Sequence, residues 1–201
     1  MNQVLAARES FAKSLSDGLW VLDEQTRELS PSGRYALEVS EYNWSEPGRS
    51  STFSAVTILD ALSEGKLLEF NAEDQFRHGW VQQSDHEYLL CGELQGGQTV
   101  VELPSAQLET YFISADDFIW TEFYPSPNSK KLVVFGCHWA CPFEFIAYDF
   151  SSAMNLPLPM IGRIAEQDKS ENFGAWIDDD SFSLVSADGS IRIVQAEKES
   201  D

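Results

Sequence analysis

"SPSGRYALEV", residues 30–39, returns 96 positions later as "SPNSKKLVVF", residues 126–135, and this recurrence decides how the chain is read. In each copy Ser-Pro opens a turn, basic character follows, and an apolar run begins. Proline presets φ for the second position of a turn, and Gly33 or Asn128 tolerates the backbone angles a turn needs. A second pair of matching segments lies downstream, "SAVTILDALSEGKLLEF" (54–70) and "EFIAYDFSSAMNLPLPMI" (144–161). Each reads as a strand ending in aspartate, a short serine-containing turn and a Leu-rich strand, so Asp60 and Asp149 occupy the same place.

Two weaker units fill the gaps. Residues 86–112 supply three strands joined by "LQGGQ" and "PSAQ", with Gly96-Gly97 read as a hairpin turn rather than a phosphate cradle. Residues 179–195 supply two strands joined by Ala187-Asp188-Gly189. A tryptophan in an apolar context opens every unit: Trp20, Trp80, Trp120 and Trp176, all expected in the core. Helical periodicity is confined to the N-terminus, where Val4, Leu5, Phe11 and Leu15 form one stripe and Ser16-Asp17-Gly18 reads as a stop.

This organisation resembles the blades of β-propellers, in particular the Ser-Pro-x-Gly-Arg/Lys-Tyr repeats of TolB-type and WD-repeat-like proteins. The resemblance implies an all-β chain of four propeller-blade-like antiparallel units, roughly 20–70, 78–112, 118–161 and 174–195, in a single domain over 1–201. A small four-bladed propeller would close if the N-terminal segment completed the short fourth unit; the alternatives are an incomplete propeller or an open twisted antiparallel array. A unit that buries one face only against its neighbour cannot fold alone, so the four are expected to act cooperatively.

The charge balance narrows the function classes. Thirteen basic residues against 33 acidic ones give a formal charge of −20, which repels phosphate backbones and anionic lipid surfaces. Nucleic-acid and membrane partners are therefore not expected, and a basic protein partner is. Arg8, Glu9 and Lys13 interrupt any signal-like apolar core, no apolar run reaches membrane-spanning length, and three cysteines suit a cytoplasmic setting. Between Arg77 and Lys130 there are eight acidic residues (Asp85, Glu87, Glu93, Glu102, Glu109, Asp116, Asp117, Glu122) and no basic one, an expected negative sector.

Most chemistry-bearing residues gather in "GCHWACPFE", 136–144. Cys137 and Cys141 have the spacing of one half of a zinc site, with His138 adjacent, but no second pair follows elsewhere. A disulfide across the turn and two thiols in a loop stiffened by Pro142 are the competing readings. His138 neighbours Cys137, and successive strand residues point to opposite faces, so a nucleophile–base pair is poorly placed. No nucleophile elbow, phosphate loop or zinc-protease motif occurs, and no cofactor is expected. In the repeat register this stretch joins the second and third strands of its unit, and "EYNWSEPGRSST" (41–52) is its counterpart. Both read as loops on the face that receives ligands in propellers.

The expected binding residues are Trp44, Glu46, His138, Trp139 and Glu144, joined by Asp116 and Asp117 in the acidic sector; Cys137, His138 and Cys141 are the weak metal candidates. The function they suggest is a non-enzymatic module that binds a basic protein, in its narrower form a bacterial immunity or inhibitor protein. The alternative is a metal- or cysteine-dependent enzyme using the Cys137–Cys141 loop.

Overall fold

A computed structural model describes residues 3–15, 20–46, 48–94, 96–112, 118–138, 143–164 and 171–197. Its elements are one helix, α1 (Gln3–Leu15), and fifteen strands in four antiparallel sheets. The first sheet is β1 (Val21–Leu29), β2 (Tyr35–Glu46), β3 (Arg49–Asp60) and β4 (Lys66–Glu73). The second is β5 (His78–Gln83), β6 (His86–Cys91), β7 (Gln98–Leu103) and β8 (Gln107–Tyr111). The third is β9 (Ile119–Pro125), β10 (Lys131–Cys137), β11 (Phe143–Asp149) and β12 (Met160–Ile164). The fourth has three strands, β13 (Asn172–Trp176), β14 (Ser181–Val185) and β15 (Ile191–Gln195). Strands pair in chain order within each sheet, so each is a simple meander, the form of a propeller blade.

Alternation along the strands builds the core between successive blades. Tyr35, Leu37, Val39, Val56, Ile58 and Phe70 of the first blade face Leu89, Cys91, Val101 and Leu103 of the second. Val81, Tyr88, Leu90 and Val100, on the other side of the second blade, face Trp120, Leu132, Val134 and Ile146 of the third. Val133, Phe145 and Ala147 of the third blade then face Phe182 and Leu184 of the fourth. Each inner blade packs on both sides, which is why β7 and β11 are buried at nearly every position. Backbones also come close: a Cβ on Gly92 of the second blade would stand 2.3 Å from the Trp120 carbonyl oxygen of the third.

The repeated Ser-Pro turns bind the blades at one end. Ser32 of the first turn donates to Glu87 of the second blade, and the Asn128 amide of the other turn donates to Asp179 of the fourth at 2.9 Å. Gln83 Nε2 donates to the carbonyls of Ser129 and of Phe150, the latter at 2.9 Å. The recurrence in sequence is thus a recurrence of one inter-blade latch.

Asp60 and Asp149 also behave alike. Each ends the third strand of its blade and accepts from backbone amides just beyond: Asp60 from Ser63 (2.8 Å) and Leu62 (3.2 Å), Asp149 from Ser151 (2.8 Å). Those donors hold both carboxyls below the usual aspartate range, as they do Asp178 and Asp188 in the turns of the fourth blade. A carboxyl depressed in the folded state adds stability above its unfolded pKa and loses it as pH falls through the folded value. Asp60→Ala is therefore expected to lower the urea midpoint more at pH 7 than at pH 3. Equal shifts at both pH values would refute this.

Three expectations change. The N-terminal segment does not complete the fourth sheet; it forms α1 and packs on the first and second blades through Arg8 and Phe11. Of the four tryptophans expected in the core only Trp120 is fully buried, while Trp20, Trp80 and Trp176 are half-buried. Their indole N–H groups need partners that lie toward the rim: Trp80 donates to Glu28 at 2.7 Å and Trp176 to the Tyr124 carbonyl at 3.2 Å. Residues 41–52 are not a loop, because β2 and β3 pair from Tyr35↔Asp60 to Glu46↔Arg49.

Candidate functional site

In a meander the turns alternate between two ends, and the Ser-Pro latches assign one end of all four blades. The opposite end collects the turns between second and third strands, the links between blades and α1. "GCHWACPFE" emerges here, with Cys137 paired to Phe143 and Ile119 and His138 just beyond β10. Trp44 lies toward the equivalent end of the first blade, inside β2 opposite Ser51.

The best-defined cluster centres on Glu144, which is nearly buried in β11. Arg163 of β12 grips it in the two-pronged way a guanidinium suits: Nε lies 2.7 Å from Oε2, and Nη2 2.8 Å from Oε1. Nη2 also donates toward His138 Nε2, which stands 3.2 Å from Glu144 Oε1. The His138 ring leans on Phe118 with centroids 5.2 Å apart. Both oxygens of Glu144 are thereby engaged by Arg163, whose guanidinium remains half-exposed.

Arg163 is absent from the sequence-derived candidates, for a geometric reason. It stands opposite Ile146, diagonal to Glu144, only because a bulge shifts the β11–β12 register between Ala147 and Tyr148. A one-residue slip would carry its side chain to the other face.

At the first blade the site is aromatic. Phe11 of α1 stacks on Phe53 at 4.4 Å and meets Trp20 edge-on at 5.0 Å; Trp20 in turn lies 6.4 Å from Trp44. Trp20 Nε1 donates to Ser14 Oγ at 2.9 Å, tying the helix to the strand that follows it. Trp44 is thus a half-buried member of an aromatic cluster and not an isolated loop anchor. At the second blade Glu93 is buried against Arg8 and accepts from Thr99 Oγ1 at 2.6 Å. Burial raises the Glu93 carboxyl, and Arg8 opposes that rise.

Glu87 and Glu93 are buried, so the acidic sector between Arg77 and Lys130 is weaker at the surface than a residue count suggests. Asp116, Asp117, Trp139 and Cys141 lie outside the described residues, and so does the side chain of Glu46. Among the described residues no group of three His, Cys, Asp or Glu side chains is placed to hold a metal ion. Cys91 is fully buried between the first two blades, where desolvation pushes its thiol well above the ordinary value, and such a thiol is a poor nucleophile. No described helix is long and apolar enough to cross a membrane.

No protein-family profile matches the chain. It is 27% identical over 127 residues to the uncharacterized protein R762 of Acanthamoeba polyphaga mimivirus, a match covering 61% of this chain and 49% of that protein. The chain spans about half the length of that curated relative. Among solved structures it is similar to the β-propeller domain of Myceliophteria thermophila Cps50 (Swd1), at 12% identity and a TM-score of 0.43, over 87% of this chain and 74% of that one.

Proposed function

We propose that the chain is a non-enzymatic module that binds a basic protein through the end of the blades carrying Trp44, His138, Glu144 and Arg163. In its narrower form it is an immunity or inhibitor protein that masks a basic toxin or nuclease. The observation that carries the reading is charge. The chain has 33 acidic and 13 basic residues, and Arg8, Arg27, Lys66, Lys131, Arg163 and Arg192 are already held by its own carboxylates. Internal pairing thus takes up scarce cations and leaves a surplus of carboxylates that attracts a basic surface and repels acidic ones.

Aromatic and arginine side chains dominate interface energetics, and this end offers both in Trp44 and Arg163. Immobilised protein is expected to retain a basic partner from its own cells at an ionic strength of about 0.05 M and to release most of it at about 0.5 M, where screening shortens the reach of surface charge. Trp44→Ala and Arg163→Ala should each reduce retention at low salt. Retention indifferent to salt, or a captured partner without basic character, would remove the basis of this reading.

A further inference from the structure

The first three sheets have four strands and the fourth has three, so β15 stands where β3, β7 and β11 stand in the other blades. Those third strands are each covered by a fourth; among the described residues nothing pairs with the outer edge of β15. The accessibility follows. β7 and β11 are mostly buried, whereas Ile191 and Ile193 of β15 are 69% and 64% exposed, side by side on one face.

The hydrogen-bond pattern completes the picture. The Ser186 amide donates to the Ser190 carbonyl and the Ala196 amide to the Asp180 carbonyl. Residues 190, 192, 194 and 196 therefore direct their backbone groups toward β14, and alternation turns the N–H and C=O of Ile191, Ile193 and Gln195 outward. An edge with outward backbone groups and two bare isoleucines is a template for another strand.

The free face at the far side of the array is different in kind. On the first blade Arg27 pairs with Glu38 (2.8 Å) and Glu64 (2.7 Å), and Gln25 bonds Ser40 at 3.2 Å, so that face is already satisfied by its own polar contacts. The fourth blade has no such covering over Ile191 and Ile193.

We infer that β15 takes up, as an antiparallel fourth strand, an extended segment of the basic partner whose centre is β-branched and whose ends carry lysine or arginine. The charge around the edge selects this occupant over a second copy. Residues 171–197 contain six acidic residues (Glu171, Asp178, Asp179, Asp180, Asp188 and Glu197) against one basic, Arg192. With Glu171 buried against Arg192 and Asp180 and Glu197 sharing Lys131, the balance around the edge is still negative. Asp188 stands at the β14–β15 turn and Glu197 two residues past the end of the strand, so both ends of an incoming segment meet carboxylates. Two copies would instead bring two chains of −20 together at their acidic edges.

The inference rests on the reading that the partner is basic, and its test separates the two. The probe is a fluorescein-labelled nonapeptide, Lys-Lys-Val-Thr-Val-Thr-Val-Lys-Lys, titrated with the full chain and read by anisotropy. Ile193→Pro removes one outward N–H and disturbs the new ladder without breaking a bond to β14, and proline is tolerated on such edges. It should weaken the peptide by about tenfold. Ile193→Lys should weaken it at least as much, while Leu62→Ala, at an exposed position of the first blade, should leave it unchanged. If Ile193→Pro disturbs folding, as read by its thermal midpoint, Ile193→Lys carries the test.

Peptide affinity unchanged in both Ile193 variants overturns the inference. A wild-type dimer that Ile193→Lys dissociates, seen by sedimentation, overturns it in favour of a second copy. Failure of the partner reading looks different: the peptide would bind in an Ile193-dependent way while no basic protein is retained from cells.

Discussion

Trp120→Ala is expected to cost about 3–5 kcal/mol, the range for removing a large buried aromatic from a packed core. Trp120 is 1% exposed and is among the largest fully buried side chains described. It touches Phe123 edge-on at 5.8 Å and Tyr148 at 5.6 Å, in the cluster that joins the second blade to the third. Its own backbone carbonyl abuts Gly92 across that junction, so the cavity cannot close by moving one blade without moving the other. The loss should appear as one lowered, still cooperative transition, because each blade buries its apolar faces only against its neighbours. Trp44→Ala, at a half-buried position, should cost clearly less. A Trp120→Ala midpoint within experimental error of the wild type would contradict the assignment of that cluster as the central core.

Arg8→Ala is expected to cost about 3 kcal/mol at neutral pH, because it strands a buried carboxylate. Arg8 and Glu93 are 8% and 3% exposed, and the guanidinium also lies over the Phe70 ring, 5.4 Å from its centroid. Burial already raises the Glu93 carboxyl, and Arg8 is what holds it down. Without Arg8 the folded carboxyl rises further, and a raised acid is penalised as pH climbs through its folded value. The cost of Arg8→Ala should therefore shrink as pH falls and Glu93 protonates. Glu93→Gln in the Arg8→Ala background should recover part of the stability at pH 7, since a neutral amide needs no counter-ion. A cost that stays constant with pH, together with no recovery by glutamine, would mean that α1 contributes packing through Phe11 alone.

The all-β character, the four units and the blade-like meander are legible in the sequence because they depend on short-range chemistry. Ser-Pro turns, the Asp188-Gly189 hairpin and alternating apolar residues each act within a few positions, and the structure keeps them in the expected places. The equivalence of Asp60 and Asp149 is of the same kind, since each carboxylate bonds amides two or three residues away. The site was less legible. Residues 41–52 read as a loop from their place in the repeat register, yet β2 and β3 hold nearly all of them in the ladder. Arg163 carried no local signal, since a bulge in the β11–β12 pairing decides that it reaches Glu144. Arg8 and Glu93 are 85 residues apart, and nothing in either neighbourhood announces the other.

By itself, then, the sequence determined the strand-and-turn grammar, the four-unit division and the surplus of negative charge, all properties that residues carry with them or settle with near neighbours. Only the tertiary structure decided that the N-terminal segment serves as a helix across the first two blades, that Glu87 and Glu93 are withdrawn from the surface, and that among the described residues no strand pairs with the outer edge of β15. These are questions of which surfaces meet. The answer depends on burial summed over distant residues and on register, where a shift of one residue reverses every side chain in a strand.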